Sequence, residues 1–467
     1  MNEWLTGQWC RELGPCVIAS SFAILIWSFP LGESPHLRDT APIVSKAPSG
    51  SRPEPAFYKW ELVVLLWIAF FLHQGDRQIY NSVIPLIKKG LNLNDIQIGL
   101  VSSVFTLVYG ILVPVGGIAG DLFRRKWIVL GSLLVFSVGT LCTGFTPGLV
   151  GLVLFRSIAT GGGEAFYYPS ATSLLAQYHP KTRAQALSIH QTALYVGIIA
   201  SGYLAGYIGE RWGWRATFFS FGSAGIVWAW VVAWRLRDTA QAQVTSATGT
   251  PERVPLGELL RYIVHRPSVW LLSMAFGAMV YVNIGFVTWT PTFLYEQFGL
   301  SLSHAGFSSM FYHNAAAFIG VLAGGKIADS LAPRHRWIRM GANFAGLLLG
   351  APFIFWLGHS HTASESFVAL GCFGLFRGLY DSNLFASLFD VVEPRMRASA
   401  TGLMLSFAFI VGSLAPSVLG WMKMQVSLSA GLTSLAWFYL AGAACIFVAM
   451  RFFLHRDFVT AESTPAS

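Results

Sequence analysis

The chain has 467 residues, 54% of them hydrophobic and only 11% charged. A soluble domain carries about 25% charged residues, so this composition excludes an ordinary globular protein and points to an integral membrane protein. The formal charge of +9 suggests nucleic acid only until the positions of the basic residues are read along the chain.

Residues 1–58 read as an N-terminal extension. Within it, "VIASSFAILIWSF" (17–29) is a largely apolar stretch followed by Pro30. It is short for a crossing, which needs about 20 apolar residues. It resembles the apolar core of a signal peptide but lacks an evident small-x-small cleavage site. We read it as interfacial or poorly ordered, and the Pro- and Ser-rich 30–56 as a linker.

Twelve predicted spans follow, at 60–87, 96–120, 127–147, 149–178, 184–208, 215–236, 269–297, 303–329, 336–358, 365–391, 398–421 and 428–454. The expected organisation is therefore a six-helix bundle over 59–236, a cytoplasmic linker at 237–268, a second six-helix bundle over 269–456 and a tail at 457–467. The fold class is all-α integral membrane, twelve transmembrane helices in two pseudo-symmetric bundles.

If Met1 is cytoplasmic, the cytoplasmic loops and the C-terminus hold eighteen Lys and Arg, from Arg124 to Arg456. The opposite side holds Lys88, Lys89, Arg211, Arg215 and Lys423. Positive residues stay on the cytoplasmic side, so both termini are expected there, in a cell membrane. The basic excess is then topological, and no nucleic-acid partner is expected.

The halves repeat. "GGIAGDLFRRK" closes the second span and "GGKIADSLAPRHR" the eighth; Gly117 stands four before Asp121, and Gly325 four before Asp329. "PKTRAQA" (180–186) and "PRMRASA" (394–400) follow spans 4 and 10. Two related six-helix halves imply a binding site between them at mid-membrane.

Few charged residues fall well inside the spans: Asp76, Arg77, Arg156, Glu164, Arg377, Asp381 and, near an end, Asp390. Each costs at least ~2.5–3.5 kcal/mol at mid-bilayer, so such residues face water or pair with one another. Asp76 and Arg77 are adjacent and point about 100° apart, so one can face a cavity while the other turns to a neighbouring helix. Arg377 and Asp381 are spaced i, i+4, close enough for a direct ion pair. Polar neighbours that could line the same cavity are Tyr80, Tyr167, His190, Tyr195, Asn283 and Trp289. The competing explanation is that these groups only fasten helices together.

Twelve spans, the six-plus-six repeat and the Gly-xxx-Asp-basic loops resemble the major facilitator superfamily over roughly 58–456. The loop departs from the usual pattern at Leu122 and Arg124. "GDRQ" in span 1, "RSIATGGGEAFYYPSA" in span 4 and "WTPTFL" in span 7 look like the spinster-like branch, whose members move lysolipids and sphingoid phosphates. "GWRATFFSFGSAGIVW" in span 6 fits the neighbouring anion:cation symporter branch, which moves sugar acids and other organic anions.

The resemblance implies roles. Asp76 and Glu164 would couple protons, and Arg77 would meet an anionic group of the substrate. Arg156, Arg377 and Asp381 join the substrate-binding set with the polar neighbours named above. Gly117, Asp121, Arg124, Arg125, Gly325 and Asp329 would form a cytoplasmic gate. Alternating access changes both the hydration of a buried carboxylate and its distance from a guanidinium, and both change its hold on a proton.

The expected function is proton-coupled secondary transport of an organic anion or a lysolipid-like amphiphile. The alternatives are a sugar-acid or carboxylate:proton symporter and a non-transporting sensor on the same fold. No metal cluster, Gly-x-Ser-x-Gly elbow or Walker motif occurs, so neither an enzyme nor an ATP-driven pump is expected. No cofactor and no metal are expected. The partners are the substrate, protons and the lipid bilayer, with the chain a monomer.

Overall fold

The computed structural model describes residues 57–237 and 256–459. The extension up to residue 56, linker residues 238–255 and tail residues 460–467 lie outside the described residues, as does the side chain of Asp121.

Twelve long helices run through the described chain. They are α1 (Tyr58–Ser82), α2 (Asp95–Leu122), α3 (Arg125–Thr143), α4 (Leu149–Tyr178), α5 (Arg183–Trp212) and α6 (Trp214–Arg235), then α7 (Pro267–Phe298), α8 (Leu302–Leu331), α9 (Ile338–Gly358), α10 (Ala363–Val391), α11 (Ser399–Gln425) and α12 (Leu428–Asp457). Their starts follow from local chemistry. Asn94 and Gln97 form a reciprocal capping box at α2, and Ser301, Thr362 and Ser427 accept backbone N–H bonds at the starts of α8, α10 and α12. Pro267 occupies the first turn of α7, where no N–H is missed.

Among the described residues, nine helices are long and apolar enough to cross a membrane: α2 to α7, α9, α11 and α12. The other three, α1, α8 and α10, are as long but carry His73, Gln74, Asp76 and Arg77, then His313 and Asn314, then Arg377, Asp381 and Asn383. Helices that hold polar residues need companions to shield them, and these three pack against neighbours within their halves.

The packing repeats. In the first six helices α1 lies against α5, α2 against α4 and α3 against α6; in the last six the same pairs are α7 with α11, α8 with α10 and α9 with α12. The halves meet through α5 with α8 and α2 with α11, which are also equivalent pairs.

This junction lies toward the C-terminal end of α5 and the N-terminal ends of α2 and α8. Gly202 and Gly306 pack backbone to backbone there: a Cβ on Gly202 would sit 2.5 Å from the Gly306 carbonyl oxygen. Glu210 of α5 accepts from the Leu302 N–H at 2.5 Å and the Ser303 hydroxyl at 3.3 Å. Its carboxylate thereby caps the start of α8 from across the boundary. Ser103 and Ser417 hydrogen-bond at 2.8 Å, and Lys423 of α11 reaches Asp95 of α2 at 3.2 Å.

Two departures from regular helix matter. α4 is wound as a π-helix over Leu152–Thr160, continues as α-helix over Gly161–Glu164, and breaks before Tyr167–Tyr178. Such wide turns are uncommon and occur at functional sites; this one carries Arg156, with Glu164 just beyond it. The connection read as a linker also contains a short helix, Leu256–Val264. It is tied to the second half by a Glu258–Arg395 ion pair and by the Tyr262 hydroxyl, which accepts from the Glu393 N–H at 3.0 Å.

Candidate functional site

A cavity of about 480 Å³ lies between the halves. On α5 its lining runs from Gln191 to Ile198, before the sealed stretch Gly202–Glu210, so the cavity begins where the seal ends. That volume suits a small molecule.

In the first half the Asp76–Arg77 step divides as its helical geometry requires. Arg77 lines the cavity, with its side chain 25% exposed; Asp76 turns away between α3 and α4. Asp76 accepts from Arg156 Nη1 at 2.8 Å and from the Thr140 hydroxyl at 2.5 Å. Arg156 also donates to the Asp76 and Arg77 carbonyls, at 3.1 and 3.4 Å. Arg77 Nε donates to Glu164 Oε2 at 2.6 Å. Glu164 is fully buried, and its Oε1 has no hydrogen-bond partner among the described residues. Two carboxylates thus stand one layer behind the cavity, each held by an arginine that lines it.

Aromatic faces cover those arginines. The Arg77 guanidinium lies 4.0 Å from the Tyr109 ring centre, and that of Arg156 lies 4.6 Å from Phe105. Such stacking supports a planar cation that has left water. His73, fully buried on α1, places Nε2 at 3.1 Å from the Glu164 carbonyl oxygen and 3.8 Å from its carboxylate.

The second half is arranged differently. Arg377 Nε lies 3.3 Å from Asp381 Oδ2, and both side chains line the cavity, 19% and 31% exposed. Arg377 Nη1 donates to the buried His313 Nε2 at 2.8 Å, a bond that needs that nitrogen unprotonated.

Of the residues read from the sequence, Arg77, Arg156, Tyr80, Tyr195, Asn283, Arg377 and Asp381 line the cavity. Three do not. Tyr167 donates to the Leu66 carbonyl at 2.7 Å, His190 stacks on Phe70 at 4.6 Å, and Trp289 donates to the Pro416 carbonyl at 3.0 Å. Tyr167 and Trp289 satisfy their polar tips inside the helix packing, and the His190 ring packs there on an aromatic face.

The residues read as a gate lie at the C-terminal ends of α2 and α8 and in the turn that leads from α2 into α3. Arg125 Nε bonds the Gly120 carbonyl at 3.4 Å, and Arg339 joins Asp329 at 3.4 Å to Asp390 at 2.9 Å within the second half. Gly117 faces open space, and Gly325 has only Ser382 nearby.

Thr140, Phe105, Tyr109 and Asn314 were among the contributors not singled out from the sequence, and Gln78 stood there only as part of "GDRQ". Thr140 is one hydroxyl among many in apolar helices, and nothing in its local pattern marks it. Phe105 and Tyr109 are spaced i, i+4 on α2, a pattern that also describes ordinary packing.

The sequence profile of the Major Facilitator Superfamily matches residues 66–416. The chain is 25% identical over 404 residues to the hexuronate transporter of Bacillus subtilis (strain 168), covering 84% of this chain and 93% of that protein. It is 30% identical over 241 residues to protein spinster homolog 1 of Homo sapiens, covering 50% of this chain and 45% of that one. In fold it is similar to the crystal structure of a bacterial homolog to the human lysosomal transporter spinster in an inward-facing and unoccupied conformation, with a TM-score of 0.77 and 21% identity over 88% of this chain and 100% of that chain. With the profile matched over most of its length and twelve helices packed as two equivalent sets of six, this chain belongs to the Major Facilitator Superfamily, as a multi-pass membrane transporter.

Proposed function

We propose that the protein is a proton-coupled secondary transporter of a small hydroxylated organic anion, a sugar acid first of all, with both termini on the cytoplasmic side. The observation that carries this reading is the Arg77–Glu164 contact of 2.6 Å, in which a cavity-lining guanidinium is held by a fully buried carboxylate. A substrate carboxylate entering the cavity competes with Glu164 for the same fork of N–H donors. When Arg77 swings to the substrate, Glu164 loses its counter-charge in a dry site and takes a proton onto a carboxylate oxygen. Asp76 stands in the same relation to Arg156. Proton and anion then move together when the halves rock, and the proton leaves when Arg77 returns to Glu164. Side-chain amides on the lining, from Gln74, Gln78, Asn81, Gln191, Asn283 and Asn314, suit hydroxyl groups, and the similarity to a hexuronate transporter agrees with them.

A second reading, transport of a lysolipid-like amphiphile, is supported by the likeness to spinster proteins and by an apolar part of the wall formed by Ile198, Ile284, Val287, Met310 and Phe409.

The test is uptake of labelled glucuronate and gluconate by the purified full chain in proteoliposomes with an imposed pH gradient. Accumulation that collapses with a protonophore and resists competition by lysophospholipid supports the sugar-acid reading. Uptake indifferent to the gradient removes proton coupling; displacement by micromolar lysolipid moves the substrate to the second class.

A further inference from the structure

The cavity holds more cationic charge, and more unsatisfied polar atoms, than a single carboxylate would use. Three guanidinium groups line it, Arg77, Arg156 and Arg377, against one lining carboxylate among the described residues, Asp381. Asp76 and Glu164 offset two of the three only while ionised. With both protonated, as the sugar-acid reading requires during loading, three positive charges face one negative charge and the site is left at +2.

The unsatisfied atoms lie on both halves. Gln78 of α1 is 1% exposed and lines the cavity, yet neither its Nε2 nor its Oε1 has a hydrogen-bond partner among the described residues. Arg77 Nη2 and Asn283 Oδ1 are in the same condition. A buried amide left with both ends unpaired is costly and calls for a partner. Gln78 and Arg77 come from the first half, and Asn283 and Arg377 from the second.

Arg377 falls close to the place of Glu164 in the repeat. Pro180 and Pro394 mark an offset of 214 residues between the halves, and the same offset carries Gly163, the neighbour of Glu164, onto Arg377. Where the first half sets a carboxylate behind its arginine, the second sets an arginine at the cavity wall. That arginine is supported from behind by the neutral nitrogen of His313 at 2.8 Å.

We infer that the substrate is a dianion with a carboxylate at each end, one gripped by Arg77 and the other by Arg377, with hydroxyls between them meeting Gln78 and Asn283. This rests on the sugar-acid reading above and narrows it from sugar acids in general to acyclic diacids. Bridging of the two arginines also gives the transport step a cause. A ligand held at both ends touches both halves and favours the state in which they close on it, whereas a monoacid on Arg77 favours no such state. Asp381 would release Arg377 as Glu164 releases Arg77.

The test compares two acids of equal length, glucarate and gluconate, which differ only in the second carboxylate. Binding is measured by calorimetry on the full chain in lipid nanodiscs. The expected result is glucarate binding about tenfold or more tighter than gluconate, the scale of one added charge-assisted pair. In Arg377→Gln that ratio should fall to within about twofold. In Arg77→Gln both acids should weaken. Equal binding of the two acids by the unaltered protein overturns the dianion inference while leaving the sugar-acid reading in place, and so does a ratio that persists in Arg377→Gln. Failure of both acids to bind overturns the reading itself, and the inference with it. The wild-type comparison stands even if Arg377→Gln does not fold.

Discussion

The two halves share a helix arrangement and differ in how they treat charge. In α1 and α4 the carboxylates are sealed, Asp76 at 2% and Glu164 at 0% exposure, and only their arginines reach the cavity. In α10 the acid and the base both line the cavity as an i, i+4 pair, and the buried group behind them is a histidine. A sealed carboxylate has few ways to neutralise itself: keep its arginine or bind a proton. An exposed one has water. On the proposed function the first half would serve coupling and the second recognition, although both share one helix arrangement.

The largest way to break this contrast is Arg156→Ala. It strands Asp76 inside the packing, and removing one partner of a buried pair costs roughly 3–5 kcal/mol. Unfolding in denaturant should show that loss, whereas Arg377→Ala, beside a partly exposed acid, should lose far less. Equal losses would erase the distinction between the halves.

Glu164→Gln sharpens the comparison on the functional side. Substrate exchange between two sides at equal pH should survive, while accumulation against a gradient should fail. If Glu164 serves only to anchor α4, exchange, accumulation and melting temperature should fall together.

Arg77→Lys comes next. Lys keeps the charge but loses the planar fork and the stacking on Tyr109, so binding should weaken about as much as in Arg77→Ala, within a few fold. Full retention by Lys would mean that a point charge is enough.

The smallest effect belongs to Asp381→Asn. The pair it breaks is partly exposed and worth about 0.5 kcal/mol or less, so the melting temperature should barely move. A large drop would show that the second half relies on this acid as the first relies on Asp76.

Much of the frame was legible in the sequence because apolar length and basic loops are coarse signals. The third span, expected at 127–147, appears as Arg125–Thr143, and the ninth, expected at 336–358, as Ile338–Gly358. The divergence of Asp76 and Arg77 and the Arg377–Asp381 pair follow from helical spacing alone. Partners between helices were not legible. A helix fixes where a side chain points around its own axis, not which neighbour stands there. Hence Glu164 could be expected near an arginine, but not near Arg77 rather than Arg156. The same limit explains Tyr167, His190 and Trp289. In an apolar interior a hydroxyl or indole N–H finds a backbone carbonyl as readily as a cavity. The π-wound turn around Arg156 was invisible because "LVLFRSIAT" has an ordinary helical composition.

The central claim, that the sealed carboxylates of the first half carry the proton, is tested most directly by proton movement driven by substrate alone. Proteoliposomes holding a pH-sensitive dye, at equal pH inside and out, receive external sugar acid with potassium and valinomycin to clamp the voltage. The account predicts acidification of the interior by the wild-type protein and, with only Glu164 left to carry a proton, less by a correctly folded Asp76→Asn variant that still binds the acid. Acidification of equal rate and extent in Asp76→Asn would contradict it.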